Sequence, residues 1–275
     1  MLNHIKAIIK ACDKLNLEYN ILHKSQNVLE IKTPKQNLLF TNGITPFNSE
    51  SVANICRDKD FTYTLFHNDL NLPKTVSFFD PNGGEEYKSY IEFKSHQIIC
   101  EQIINQFSFP VIVKRNSGSQ GKNVFKCTSK KEILKALELI FDKKSNQYDY
   151  VALAQEFVNI KREFRIILFQ SKIMLVYEKI INNAKFVGNL SPLHWEKSKT
   201  EVITDKVLIK RIQESIKSMS KFPDFQYIGL DIVIDDKDKF WIIELNSHPG
   251  YTKFLEDNDE EHLVNMFEKI LKNYI

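Results

Sequence analysis

Glu244 and Asn246 stand two residues apart in the apolar run Phe240-Trp241-Ile242-Ile243-Glu244-Leu245-Asn246, which breaks at Pro249-Gly250. Residues two apart in a strand share a face, so the carboxylate and the amide point together. Trp241, Ile243 and Leu245 then point the other way, toward a core. Upstream, residues 227–234 read as a second apolar strand, with Leu230, Ile232 and Ile234 on one face and Asp231 on the other. The polar stretch from Asp235 to Lys239 predicts a hairpin between the two. With 236–239 as its loop, Asp235 opposes Phe240 and Asp231 opposes Glu244. Two opposed carboxylates repel unless a cation lies between them. Three hard oxygen donors on one face suit Mg²⁺, with Mn²⁺ as an alternative, so Asp231, Glu244 and Asn246 are the candidate metal ligands. The plainer reading is a hairpin edge with solvated acids.

Mg²⁺ in a protein usually accompanies phosphate. Lys114-Arg115-Asn116-Ser117-Gly118-Ser119-Gln120-Gly121-Lys122 joins the buried strand at 109–114 to a strand at 123–127. Its glycines let backbone N–H groups approach a polyphosphate, and Lys114 at the strand end touches it from the side. The spacing does not match GxxxxGK[ST], so this is not a Walker A loop; it is a flap between strands. Neither HRD nor DFG occurs, which sets the protein-kinase fold aside. Gln155-Glu156-Phe157-Val158 ends an apolar strand and offers a purine an apolar slot, an acceptor and an N–H donor. Glu163 and Arg165 share one strand face, suited to ribose hydroxyls and phosphate; the plainer reading is a surface ion pair.

The elements around these residues follow from hydrophobic period and turn chemistry. An amphipathic helix opens the chain, and short strands at 19–22, 28–31 and 37–41 complete a small α/β unit over residues 1–50. A helical stretch runs from Ser51 past Asp58-Lys59 toward Asn71. Asp80-Pro81-Asn82-Gly83-Gly84 is a loop between subdomains. Helices are expected at 95–107, from Ser129 (where Glu132 gives capping-box spacing), within 198–222 and over 260–274. Strands are expected at 151–158, 164–169 and 172–179.

The chain of 275 residues is 43% hydrophobic and 27% charged, ordinary for a globular protein. A net charge of +3 is too mild to argue for nucleic acid. No apolar run reaches the ~20 residues of a membrane span, and the opening residues are not a secretory signal. Cys12, Cys56, Cys100 and Cys127 form no CxxC pair and read as reduced, buried thiols of a cytoplasmic protein.

In this order, Asp58-Lys59 with Thr62 and Leu65, the Phe109–Lys114 strand and its loop, Gln155-Glu156-Phe157-Val158, Glu163-Phe164-Arg165, Gly229-Leu230-Asp231 and Glu244–Gly250 resemble the ATP-grasp superfamily of carboxylate–amine ligases. The nearest pattern is the group of ribosomal-protein glutamate ligase, cyanophycin synthetase and bifunctional glutathione synthetase. The resemblance covers residues 51–275. It implies an α+β (α/β) fold in which two α+β lobes grip ATP, a nucleotide lid lobe at about 92–157 and a metal-binding lobe at about 158–275. It implies that Lys59 and Lys114 contact phosphates under a flap of Ser117, Gly118, Ser119, Gln120 and Gly121. Glu156, Phe157 and Val158 would hold adenine and Glu163 ribose. Asn189 would lie near the phosphates. Arg165 and Lys179 would be the catalytic cations, and Ser247, His248 and Gly250 the substrate loop. The implied reaction activates a carboxylate as an acylphosphate and passes it to an amine, with an amino acid or peptide as substrate. A kinase on the same ATP site, or a non-catalytic nucleotide-binding regulator, are the alternatives. Neither a membrane nor a nucleic acid is an expected partner; a homo-oligomer is compatible with the resemblance, since dimers and tetramers are common in such ligases, and the sequence leaves the oligomeric state open.

Overall fold

The computed structural model describes residues 1–118, 121–181 and 196–275. Helix α1 (Asn3–Leu15) places Ile5, Ile8, Ala11 and Cys12 at helical spacing, all buried. The chain reverses at Asn16, in the left-handed region at φ 53°. It then forms an antiparallel sheet of β1 (Tyr19–Ile21), β2 (Val28–Lys32) and β3 (Asn37–Thr41). Alternate residues Leu29, Ile31, Leu38 and Phe40 share one core with α1.

The helical stretch after Ser51 is two helices, α2 (Glu50–Arg57) and α3 (Lys59–Phe66). Asp58 divides them. Its N–H closes α2 on the Asn54 carbonyl, and its side chain caps α3 by accepting the Phe61 N–H at 2.9 Å. Aspartate favours such a cap over a helix interior, because its short side chain competes for backbone donors. Lys59 is thereby the first residue of α3, at the edge of the site.

Next come β4 (Thr75–Phe79), α4 (His96–Gln106), β5 (Val111–Arg115), β6 (Val124–Cys127), α5 (Lys130–Ile140) and β7 (Val151–Glu156). These strands form an antiparallel sheet in the order β4-β7-β5-β6, with α4 and α5 buried against one face. Ser95 and Ser129 cap the two helices. The Glu132 carboxylate accepts from the Thr128 N–H and hydroxyl, one residue before the expected capping-box partner. The edge strand β4 lies before residue 92, so this sheet reaches outside the 92–157 range.

The remaining elements are β8 (Ile160–Phe169), β9 (Lys172–Ile180), β10 (Lys199–Val202), α6 (Lys206–Ser215), β11 (Tyr227–Asp235), β12 (Phe240–Asn246), α7 (Thr252–Asp257) and α8 (Glu261–Leu271). Their strands form an antiparallel sheet in the order β10-β9-β8-β11-β12. Phe164, Ile166, Leu168, Leu230, Ile232 and Ile234 cover one face with α6. The other face is divided along the strands. Ile167, Phe169, Tyr177 and Tyr227 pack under α1 and α8. Glu163, Arg165, Lys179 and Asp231 occupy the uncovered half and line a cavity shared with β5 and β7. Strand β8 carries this division in its own sequence: one face reads Glu163, Arg165, Ile167, Phe169.

The hairpin differs from the prediction at its turn. Ile234, not Asp235, pairs with Phe240. Asp235 ties the turn instead, accepting from Lys237 N, Lys239 N and Trp241 Nε1, each at 2.9 Å. A bulge at Ile243 then adds one residue to β12 and restores Asp231 opposite Glu244. The expected pairing therefore holds at the site, while facing is reversed before the bulge. Ile242 is in the core at 2% exposure; Trp241 is half-buried and Ile243 lines the cavity.

Candidate active site

The cavity, about 880 Å³, is bounded by the bare half of the five-stranded sheet, the Ile112–Lys114 face of β5, and the chain after β12. Asp231 is 6% exposed and holds two cations. Arg165 pairs with it through Nε (2.7 Å) and a terminal nitrogen (3.0 Å), and Lys179 Nζ donates at 2.8 Å. Lys179 also donates to Glu163. Register explains the cluster: Asp231 lies across from Arg165 on β8, and Arg165 across from Tyr177 on β9, two residues from Lys179. Burial alone would raise the Asp231 pKa; the Arg165 and Lys179 charges override it and hold the carboxyl well below its usual range. Burial raises Glu163 despite Lys179.

Glu244 pairs with Lys59 at 3.2 Å. Lys59 also donates to the carbonyls of Asn116 (3.3 Å) and Gly118, tying the start of the glycine loop to the hairpin. Lys114 is different. It donates to Gln155 Oε1 at 2.9 Å, and among the described residues no carboxylate lies within ion-pair distance. Burial, then the neighbouring Lys59 charge, lowers its pKa to about 7. The opposed carboxylates are thus balanced by protein cations in this state, which is how the repulsion expected from sequence is relieved.

The glycine loop departs from expectation at its first residue. Ser117 gives both its N–H (2.7 Å) and its hydroxyl (2.6 Å) to Asp149 Oδ2, so neither faces a phosphate. Asn116 is turned inward as well, its side chain accepting the Asp60 N–H at 2.9 Å. Gly118 and Gly121 line the cavity. A Cβ on Gly118 would meet Arg115 Nε at 2.5 Å, so a side chain there would displace Arg115, and Gly121 has φ 68°, which glycine adopts without steric cost. Ser119, Gln120 and Asn189 lie outside the described residues.

Glu156, Phe157 and Val158 line the cavity beside Ile112, Pro73 and Ile160, which sequence reasoning did not single out. The Glu156 carboxylate accepts from the Lys74 N–H at 3.3 Å, and its own N–H donates to the Lys74 carbonyl. Lys126 Nζ sits over the face of the Phe157 ring, 4.2 Å from its centroid. At the opposite end, His248 and Gly250 line the cavity as expected. Ser247 does not: it lies just past the end of β12, is 5% exposed, and bonds His248 Nδ1 at 2.9 Å. Burial lowers the His248 pKa, with Arg57 adding to it. Glu196, Ser198, Thr252, Lys253 and Glu256 complete this end. They come from an unpredicted strand edge and a short helix, neither of which carries a strong periodic signal.

Asp231, Glu244 and Asn246 line this one cavity. Among the described residues no three His, Cys, Asp or Glu side chains form a ready cage. Among the described residues Asn246 Nδ2 is buried without a hydrogen-bond partner, so none of them engages the amide nitrogen. The donor set is oxygen-rich and fits a hard divalent cation. The cysteines offer no nucleophile: all four are free and buried, and burial raises Cys12, Cys56 and Cys127 to about 12.

Two antiparallel sheets closing on a cation-lined cavity constitute the ATP-grasp fold. The chain belongs to the family of RimK-like ATP-grasp domains, whose model matches residues 88–272. The resemblance read from the motifs is borne out. Among curated relatives, the D-alanine–D-alanine ligase of Haemophilus ducreyi is 24% identical over 163 residues, 58% of this chain and 51% of that one. That of Buchnera aphidicola is 23% identical over 171 residues, 60% and 52%. The chain spans about half the length of the curated relatives it matches. A bifunctional glutathione synthetase from Pasteurella multocida superposes with TM-score 0.63 at 14% identity, over 99% of this chain and 44% of that one. The VanG D-Ala:D-Ser ligase from Enterococcus faecalis gives 0.58 at 16% identity, over 83% and 64%. These likenesses carry the fold. No helix among the described residues is long and apolar enough to cross a membrane.

Proposed function

We propose that the protein is an ATP- and Mg²⁺-dependent ligase that joins a carboxylate to an amine, with an amino acid or peptide as substrate. The observation that carries this reading is the gathering of Lys59, Lys114, Arg165 and Lys179 around the Asp231–Glu244 pair in one cavity. A carboxylate oxygen attacks the γ-phosphorus, and the bond to the β-phosphate oxygen breaks, leaving ADP and an acylphosphate. The amine then attacks the acyl carbon, phosphate leaves, and the amine proton passes to solvent or phosphate. Both reactants of the first step are anions, so the site must neutralise charge where it develops. A divalent ion held by Asp231, Glu244 and Asn246 would supply part of that neutralisation to the phosphates. Lys59 and Lys114 bind phosphate oxygens, while Arg165 and Lys179 orient the γ-phosphate and the incoming carboxylate. The apolar slot at Ile112, Phe157 and Val158 takes the adenine, and Glu163 the ribose. The end lined by Ser198, His248 and Thr252 holds the second substrate, and enclosure keeps water from the acylphosphate.

The test is phosphate release from Mg-ATP across amino acids and short peptides, singly and in pairs. A ligase releases phosphate only when acid and amine are both present. Phosphorylated acid accumulating as the final product would establish the kinase reading instead. Glu244→Ala is expected to abolish turnover in a folded protein, and retained turnover would remove Glu244 from the metal site.

A further inference from the structure

Both stems of the glycine loop rest on one short piece of chain, Gln147 to Asp149, that lies outside the cavity lining. On the outgoing stem, Ser117 donates twice to Asp149 Oδ2, at 2.7 and 2.6 Å. Asp149 is itself 4% exposed and fixed by the Val151 N–H at 3.2 Å and by its own N–H to the Ile140 carbonyl. Arg115 donates to the Gln147 carbonyl at 3.4 Å. On the returning stem, Asn123 Nδ2 reaches the same carbonyl at 3.5 Å, and the Asn123 carbonyl accepts the Arg115 N–H at 3.2 Å. Asn123 sits at φ 52°, in the left-handed region that asparagine tolerates better than most non-glycine residues. A buried carboxylate among the described residues with no cation at salt-bridge distance must be satisfied by hydrogen bonds, and Ser117 supplies two of the three it accepts.

We propose that Asp149 is a positioning residue for nucleotide binding: through Ser117 it orients the outgoing stem, residues 116–118, so that the Gly118 N–H faces the phosphates. This rests on the reading of the cavity as a nucleotide site. Asp149 touches no ligand. Its influence passes through Ser117 to the polyphosphate and not to the purine slot at Phe157 and Val158, which lies beyond the opposite end of β7 from the Asp149–Val151 contact.

The experiment measures dissociation constants of Mg-ATP and of AMP by calorimetry, with hydrogen exchange of the 116–118 amides. Asp149→Ala is expected to weaken Mg-ATP roughly tenfold or more while AMP changes less than about twofold, and the stem amides should exchange faster. Asp149→Asn keeps an acceptor beneath Ser117 and is expected to stay within about threefold of the native affinity for Mg-ATP, a rescue that also covers the case in which the alanine variant does not fold. Because Ser117→Ala acts on the same contact, the double variant with Asp149→Ala should bind no more weakly than Asp149→Ala alone. Equal weakening of AMP and Mg-ATP, or Mg-ATP affinity unchanged in Asp149→Ala, overturns the positioning role alone. Failure of the native protein to bind Mg-ATP overturns the nucleotide site itself, and the role with it.

Discussion

Lys114→Met is expected to make the unliganded protein more stable and a worse nucleotide binder. Lys114 is 5% exposed, and its pKa falls from 10.5 to about 7 through burial and then the Lys59 charge. A displacement of that size corresponds to at most about 5 kcal/mol. Water in a cavity open on one side relaxes it, leaving about 1–3 kcal/mol. Methionine fills similar volume without the charge. Against this, Gln155 Oε1 loses its 2.9 Å donor, while its Nε2 keeps Thr75 Oγ1 at 2.9 Å. That loss costs about 1 kcal/mol. The net expectation is zero to about 2 kcal/mol of stabilisation near neutral pH.

The pH dependence distinguishes this account from ordinary repacking. The folded pKa lies below the unfolded one, so the unfolded chain holds the proton longer. Stability of the native protein therefore rises with pH between about 7 and 10.5, as the buried ammonium is relieved. The advantage of the methionine variant is fully present below about pH 7 and shrinks above it. Urea unfolding at pH 6.5, 8 and 9.5 reads the difference, and calorimetry with Mg-ATP reads the affinity, expected to drop tenfold or more. A variant that is less stable at every pH, or that binds Mg-ATP as tightly as the native protein, would show that Lys114 is not a strained charge awaiting phosphate.

The bulge at Ile243 predicts that two adjacent isoleucines behave oppositely. Ile242→Ala should cost about 2–5 kcal/mol in chemical denaturation, and Ile243→Ala much less while weakening Mg-ATP binding; equal costs would refute the bulge. Gly229 faces Pro249, where an added Cβ would come within 2.8 Å of the proline Cβ. Gly229→Ala should lose about 1–3 kcal/mol, and an unchanged unfolding midpoint would deny the contact. Hydrogen bonds from Trp241, then from Lys239 and Lys237, hold the Asp235 pKa below its ordinary 3.8. Asp235→Asn should therefore lower the Tm at neutral pH. The gap should close as the medium is acidified through the depressed pKa, and a gap constant with pH would refute the assignment.

The sequence made the site legible where a period of two and polar residues coincide. Asp231 opposite Glu244, and Glu163 with Arg165 on one face of β8, are visible because few strand faces carry paired charges amid apolar neighbours. The turn register was not legible. Asp235 gains three donors by leaving the ladder, and the bulge that compensates has no mark in Ile242-Ile243, two identical residues. Ser117 looked like a phosphate donor because its partner Asp149 is 32 residues away, in a loop without periodicity. The edge strands β4 and β10 are short, and β10 is largely polar, so neither rises above its flanking turns. Asp58 is a breaker that reads equally well as an exposed helical residue until its cap on Phe61 is seen.

The charges of the cavity fall into two kinds, and the division bears on how the proposed reaction is prepared. Arg165 and Lys179 are already matched by Asp231 and Glu163, so this cluster can be buried and still hold its geometry without ligand. Among the described residues Lys114 has only a neutral partner, and a phosphate bound beside it would relieve its charge. Lys59 stands between these cases, shared by Glu244 and the Gly118 carbonyl. A divalent ion drawn to Glu244 and Asp231 would release Lys59, Arg165 and Lys179 toward the phosphates in one exchange. The covered half of the five-stranded sheet, with Phe169, Tyr177 and Tyr227 packed under α8, holds the strands in register while that exchange takes place. Metal and nucleotide should therefore bind cooperatively, each weakly alone, because either one by itself leaves a buried charge without a partner.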